Sequence, residues 1–416
     1  MYAQDFLLEH NRYMNFIGIF FVLGLCYLSS KNRHQISKFF VLKALSLQFL
    51  IGFFVLRTKL GESLVNSLSN GIRVLYSYAE QGSAFVFGPL TDASQSWGFI
   101  FAFKVLPIIL FFAALTSILF YWGIIQRVVG LLNRLFEPIL KTTGPETLCA
   151  VANSFLGQTE SPLLIKNYLP KMTKSEIFVV MVSGMATISG GILAAFAAMG
   201  VPVRHMLAAS MMAIPASILI AKMLIPAENK NDQDSEFKVD NKSSAANFFD
   251  ALATGTSDGL HLALNVGAAL IVFTALLNLV DFLLHGLGSM VSVFGVSYNL
   301  CLKNLFGFLF SPLGYLLGLT GFEAETAGQL LGIKISANEL LAYQQMLVSN
   351  LSERAVVLLT YALCGFSNFS CIGIQVAGIG AIAPTRRVWL SELGVRAVLA
   401  SSLANLLSAF VAGIIL

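Results

Sequence analysis

The chain has 416 residues, 56% hydrophobic and 12% charged. That is about half the ~25% charge of an ordinary soluble domain, and with a mean hydropathy of +0.76 it excludes a soluble globular class. Long unbroken apolar runs exclude a β-barrel, whose strands alternate with period two, and a net charge of only +4 excludes nucleic acid as a partner.

What remains is an all-α polytopic membrane protein. Apolar stretches near the ~20 residues that cross a bilayer predict eight transmembrane helices, at 14–29, 39–56, 98–127, 176–200, 204–225, 259–284, 355–382 and 392–416. The first has its basic residues after the apolar core and lacks a small-residue cleavage site, so it is expected to stay as a span. Residues 61–95 alternate apolar and polar at helical spacing and predict a helix lying in the interface. Lys104 is expected to snorkel from the start of a span. Residues 145–169 and 324–346, moderately apolar and broken by Gly, Pro, Asn and Gln, predict two re-entrant hairpins. The polar stretch 227–245 reads as the linker between halves. Beyond it, Asp258 with His261 is expected to cap an interfacial helix, and Asp281 to pair with His285. Basic clusters at 29–38, 126–134, 170–174 and 384–387 all fall in the cytoplasm if both termini lie outside. Five cysteines without C-x-x-C spacing give neither a disulfide framework nor a zinc site.

The halves repeat each other. "GPETLCAVANSFLGQTESPL" (144–163) lines up with "EAETAGQLLGIKISANELLA" (323–342), setting Glu146-Thr147 on Glu325-Thr326 and Glu160 on Glu339. Downstream, "GMATISGG" (184–191) lines up with "GFSNFSCIG" (365–373), pairing Gly184 with Gly365, Thr187 with Asn368 and Ser189 with Ser370. With the topology above, the first hairpin enters from the cytoplasm and the second from outside. Two opposed re-entrant hairpins in an inverted repeat are the architecture of secondary transporters, whose broken segments hold the substrate.

Glu160 and Glu339 sit at corresponding hairpin tips. A charge at membrane depth costs at least a few kcal/mol unless it faces protein or water, so these carboxylates read as ligand groups, or else as interfacial loop residues that reach water. Gln158 and Thr159 add an amide and a hydroxyl that suit a neutral polar ligand; the alternative is a capping cluster at the turn. Asn368 lies mid-span, where an amide needs several partners. Phe366 can stack on a ring or sugar, although one among 34 phenylalanines is equally a core residue. No HExxH, GxxxxGK[ST] or nucleophile elbow occurs, so a metalloprotease, an ATP-driven pump and an α/β-hydrolase are not indicated. Two carboxylates leave open a channel or a membrane-embedded acid/base enzyme.

"GQTESPLLIKNYLPKMTKSE" with Asn153 before it, "GMATISGGILAAFAAMGVP", "ALNVGAALI", "GIKISANELLAY", and "LCGFSNFSCIGI" followed by "APTRR" resemble, in order and over nearly the whole chain, the concentrative nucleoside transporters. The resemblance implies a homotrimer with interfacial helices, in which each protomer has a scaffold and a transport domain that moves like an elevator. It implies 1–143 as mainly scaffold, 144–226 as the first transport-domain repeat, 227–322 as linker, interfacial helix and scaffold helix, and 323–416 as the second repeat. It implies nucleobase contacts at Gln158, Thr159, Glu160 and Ile192, and ribose contacts at Glu339, Phe366, Asn368 and position 371. Here position 371 is cysteine, a poor donor, so either Ser370 or a water is expected to stand in, or the sugar contact is weakened. It implies sodium as coupling ion, with no other cofactor, at Asn153, Leu156, Thr187 and Ile188; some bacterial relatives use protons, which Glu160 and Glu339 are equipped to carry. The expected activity is symport of nucleosides, not catalysis, across a bacterial inner membrane.

Overall fold

In chain order the protein forms α1 (Arg12–Leu28), α2 (Lys38–Arg57), α3 (Lys59–Phe87), α4 (Phe101–Lys104), α5 (Leu106–Tyr121), α6 (Ile124–Leu140), α7 (Gly144–Ala152), α8 (Lys174–Ala186), α9 (Gly190–Met199) and α10 (Val203–Leu224). There follow α11 (Phe248–Val291), α12 (Leu302–Leu316), α13 (Gly321–Ser336), α14 (Glu339–Val348), α15 (Glu353–Leu363), α16 (Ser370–Ile382) and α17 (Arg387–Ile415). The computed structural model describes residues 6, 8–92, 94–96, 98, 100–227, 245–291 and 301–416, and among them there is no strand. The expected linker therefore lies, in its 228–244 part, outside the described residues.

The starts of the helices are written in polar side chains that satisfy otherwise orphaned N–H groups. Thr143 with Glu146 and Thr173 with Glu176 form capping boxes at α7 and α8. Ser37, Thr58, Asn338 and Ser352 cap α2, α3, α14 and α15.

Among the described residues seven helical stretches are long and apolar enough to cross a membrane. The eight expected spans and the helices of the structure differ in bounds at several places. Residues 355–382 do not run through: α15 stops at Leu363 and α16 starts at Ser370, leaving an irregular stretch between. An eighth span arises only if α12 and α13, bent by 115° against each other, count as one. The expected span 98–127 ends at Tyr121, because Gly123, at φ +72, turns the chain into the separate helix α6. The expected 259–284 span is part of a longer helix that begins at Phe248, so Asp258 and His261 lie inside α11 and cap nothing; His261 Nδ1 donates to Ser257 O at 2.9 Å. Asp281 accepts from Leu302 N at 2.6 Å, tying α11 to the start of α12, and forms no ion pair with His285. Lys104 donates to Glu80 of α3.

Packing sorts the helices into two groups. α10 and α17 lie side by side, mostly buried, with α1, α2, α8 and α15 around them. α5 and α11 form a second pair, reached from the first through α9 and α3. Small residues bring that pair together: a Cβ on Gly255 would stand 2.5 Å from Ser117 Cβ, and one on Gly259 2.8 Å from Ala113 Cβ. α11 leaves its apolar surface, including Ile271 and Phe282, exposed.

Candidate functional site

The site forms where two interrupted helices cross. α8 ends at Ala186, and Thr187 and Ser189 are extended; β-branched Thr187 and Ile188 favour that geometry, and Ser189 caps α9 by accepting from Ile192 N at 3.5 Å. In the second half Gly365, at φ +136, starts the break after α15. A Cβ there would stand 2.7 Å from both Ala186 O and Asn405 Oδ1, so the two breaks touch because position 365 has no side chain.

Each break is approached by a turn. After α7 the chain tightens through Gly157, whose carbonyl accepts from Glu160 N and Ser161 N at 3.1 and 3.0 Å. Gly190 N donates to Phe155 O at 3.1 Å, stitching this turn to the first break. In the second half Ala337 and Asn338 separate α13 from α14, and Glu339 is the first residue of α14.

Side chains from both halves then join in one hydrogen-bonded chain. Glu339, 6% exposed, accepts through Oε2 from Asn368 Nδ2 at 3.0 Å. Asn368 Oδ1 accepts from Ser370 Oγ at 2.6 Å and Cys371 N at 3.1 Å. Gln158 Nε2 lies 3.3 Å from Cys371 Sγ. Gln158, Glu339, Asn368, Ser370 and Cys371 are thus brought together as expected. Ser370 does not simply stand in at position 371: its hydroxyl donates to Asn368, while Cys371 faces Gln158.

The other expected ligand residues lie around this chain without a hydrogen bond into it. Thr159 sets its methyl against α16, where a Cβ on Gly378 would be 2.7 Å away. Glu160 is exposed and, among the described residues, accepts from Gly157 N alone, at 3.3 Å, with no hydrogen bond to Glu339. Ile192 is buried and Phe366 half-buried against the core.

Of the four residues expected to hold sodium, Asn153 and Thr187 converge on Ser183 of α8. Asn153 Nδ2 donates to Ser183 Oγ at 3.0 Å, and Thr187 Oγ1 donates to Ser183 O at 2.9 Å. Leu156 and Ile188 flank the Phe155–Gly190 stitch. Asn153 is 1% exposed, yet its Oδ1 has no donor. An unpaired buried acceptor costs about 1–3 kcal/mol, and beside unwound backbone it is what a hard cation takes up. The set is all oxygen, so it fits sodium.

Three buried polar residues were not anticipated. Lys334 of α13, 1% exposed, donates to Ala362 O at 3.0 Å and Asn405 Oδ1 at 2.8 Å. Asn405 of α17 donates to Ala186 O at 2.7 Å and accepts from Ser367 Oγ at 3.2 Å. Ala362 and Ala186 sit at the C-terminal ends of α15 and α8, where carbonyls lose their helical partners. Lys334 and Asn405 therefore satisfy both broken ends. Gln375 of α16 donates to Gln158 Oε1 at 3.1 Å and Met181 O at 3.0 Å. The signal for Lys334 was present, as an ionisable residue in a stretch predicted to enter the membrane. The duplicated pattern drew attention to the glutamates instead. The expected pairing of Glu146 with Glu325 is one of position and not of environment: Glu146 is buried 2.7 Å from Lys222, and Glu325 is exposed.

A family model described as Na+ dependent nucleoside transporter C-terminus matches residues 205–413, its N-terminal counterpart matches 17–90, and one described as nucleoside recognition matches 102–203. An uncharacterized transporter of Haemophilus influenzae is 40% identical, covering 96% of each chain. The nucleoside permease NupC of Helicobacter pylori is 36% identical over 96% of this chain and 98% of its own. The solved structure of CNTnw in an inward-facing substrate-bound state is similar at TM-score 0.90 and 34% identity, covering 97% of each chain.

Proposed function

The chain belongs to the concentrative, Na+ dependent nucleoside transporter family, and from that premise we propose that it is a sodium-coupled symporter that imports nucleosides by elevator-type alternating access. The observation that carries the reading is the chain from Gln158 through Cys371 and Asn368 to Glu339. It gives one polar surface drawn from both halves, with an amide at one end and a carboxylate at the other. A nucleoside has the matching polarity: a base with donors and acceptors, and a sugar whose vicinal hydroxyls donate to a carboxylate. Gln158, Thr159, Glu160 and Ile192 would meet the base; Glu339, Phe366, Asn368, Ser370 and Cys371 the sugar.

Asn153, Leu156, Thr187 and Ile188 would hold sodium, and the unpaired Asn153 Oδ1 supports that assignment. The bound ion would fasten the 153–161 turn to the first break, and Gln158 lies on that same turn. One element then serves both sites, which is the physical content of coupling. The turn at 153–161 and the α13–α14 pair would be re-entrant. The packing supports placing the mobile body on α7–α10 and α13–α17, with α5 and α11 fixed; α1 and α2, within the segment expected to be mainly scaffold, lie against α10 and α17. The exposed apolar length of α11 supports a homotrimer, and a bacterial inner membrane is the expected location.

The test is uptake of radiolabelled uridine and adenosine into proteoliposomes. Accumulation above the outside concentration under a sodium gradient, lost in choline, is expected, with the nucleoside recovered unchanged. Equal uptake in choline driven by a proton gradient would replace the ion; conductance without accumulation, or a modified product, would replace the function.

A further inference from the structure

Gln375 is fully buried on α16, and the orientation of its amide is dictated by a backbone carbonyl of α8. A backbone carbonyl only accepts, so Met181 O, 3.0 Å away, must be faced by Nε2. The second hydrogen of that nitrogen points to Gln158 at 3.1 Å, which must therefore offer its oxygen. Gln158 is left presenting its own Nε2 on the far side. One of those hydrogens meets Cys371 Sγ, a weak acceptor, and the other has no partner among the described residues. The arrangement is built at a cost: Gln375 Oε1 is buried with no donor, which a residue serving only to fill space would not require. Gly184 makes room for it, since a Cβ there would lie 2.9 Å from Gln375 Nε2 and 3.0 Å from Gln158 Cβ.

We propose that Gln375 is a positioning residue that sets base selectivity. It holds the Gln158 amide with its NH2 toward the ligand, so that bases presenting a keto oxygen there are preferred to bases presenting an amino group. The inference rests on the nucleoside-transport reading. Uridine and cytidine, which differ at C4 as keto against amino and with it at N3 as N–H against lone pair, are the probe. Initial uptake rates of both are measured in proteoliposomes for the unmodified protein, Gln375→Leu, Gln375→Asn, Gln158→Ala and the Gln158→Ala/Gln375→Leu double variant. Gln375→Asn keeps the amide but, one carbon shorter, cannot reach both partners, so it serves if the leucine variant does not fold.

The unmodified protein is expected to favour uridine on the order of tenfold in KM. Either Gln375 variant brings the ratio towards one, through KM, with kcat within about twofold. In the Gln158→Ala background the Gln375 change leaves the ratio where it is, because the two act as one unit. An unmodified protein that takes both nucleosides equally, a ratio unmoved by the Gln375 change, or an equal effect of that change without Gln158 would each overturn the inference while leaving transport intact. Uptake of adenosine with neither pyrimidine nucleoside by the unmodified protein would overturn this inference alone, and uptake of none of the three would overturn the transport reading and this inference with it.

Discussion

Glu339 is where sequence chemistry and geometry meet most directly: a carboxylate at the first position of α14, enclosed and already answered by Asn368. Glu339→Gln keeps the volume and removes the charge. Hydrogen bonds to a charged group contribute about 1.5–3 kcal/mol, so the uridine KM is expected to rise about 10- to 100-fold, while the protein still inserts and purifies; an unchanged KM would remove Glu339 from the sugar site. Asn153→Ala deletes the unpaired Oδ1. Its expected signature is a higher half-saturating sodium concentration, with uridine uptake restored at saturating sodium, and an unaltered sodium dependence would dissolve the ion assignment. Lys334→Met removes an ammonium that serves two acceptors, leaving Ala362 O and Asn405 Oδ1 under-satisfied at about 1–3 kcal/mol each. A lower thermal midpoint in detergent, with no change in the uridine-to-cytidine ratio, is the result that fits. The glutamates were legible because charges stand out against an apolar background. The partners that hold the site were not: Lys334 and Asn405 are 71 residues apart, and Gln375 and Gln158 are 217 apart. Nothing in local periodicity selects such pairs.

At the scale of elements, run length predicted most crossings, because a bilayer fixes how many apolar residues a helix needs. Run length alone passes over the break inside 355–382, and the polar residues of "GFSNFSCIG", paired with "GMATISGG" in the repeat, are what mark it. Run length also gave no warning that the chain after Glu160 is short 3-10 turns, at Ser161–Ile165 and Leu169–Lys171, in place of a second helical arm. Pro162 and Pro170 explain this, since each removes a backbone donor and clashes with a continuing α-turn. The second hairpin has no proline between Gly321 and Val348 and forms two regular helices. Gly365→Ala tests the crossing of the breaks: a side chain at φ +136 costs about 1–3 kcal/mol before any clash, and it would press on Ala186 O and Asn405. A fall in the detergent thermal midpoint together with lost uptake is expected, and a variant that folds and transports normally would mean the breaks need not touch.

At the scale of the molecule the helices sort into two packed groups, α10 and α17 with their neighbours, and α5 with α11, joined through α9 and α3. The outward apolar face of α11 adds a prediction: native mass spectrometry in detergent should give three copies, and a stable monomer would leave that face to lipid alone. Asn405 carries a consequence of another kind. It lies on α17, made after every other helix described, and it holds the open end of α8 directly and that of α15 through Lys334. During synthesis α8 must wait in the bilayer with Ala186 O unanswered by Asn405, where an unsatisfied group costs several kcal/mol, whereas Lys334, made earlier, already serves Ala362 O. Biogenesis of the site is therefore sequential, its keystone arriving last. Ribosomes stalled before residue 405 would leave nascent chains that are inserted but incomplete, and these are the molecules a membrane quality-control protease would remove.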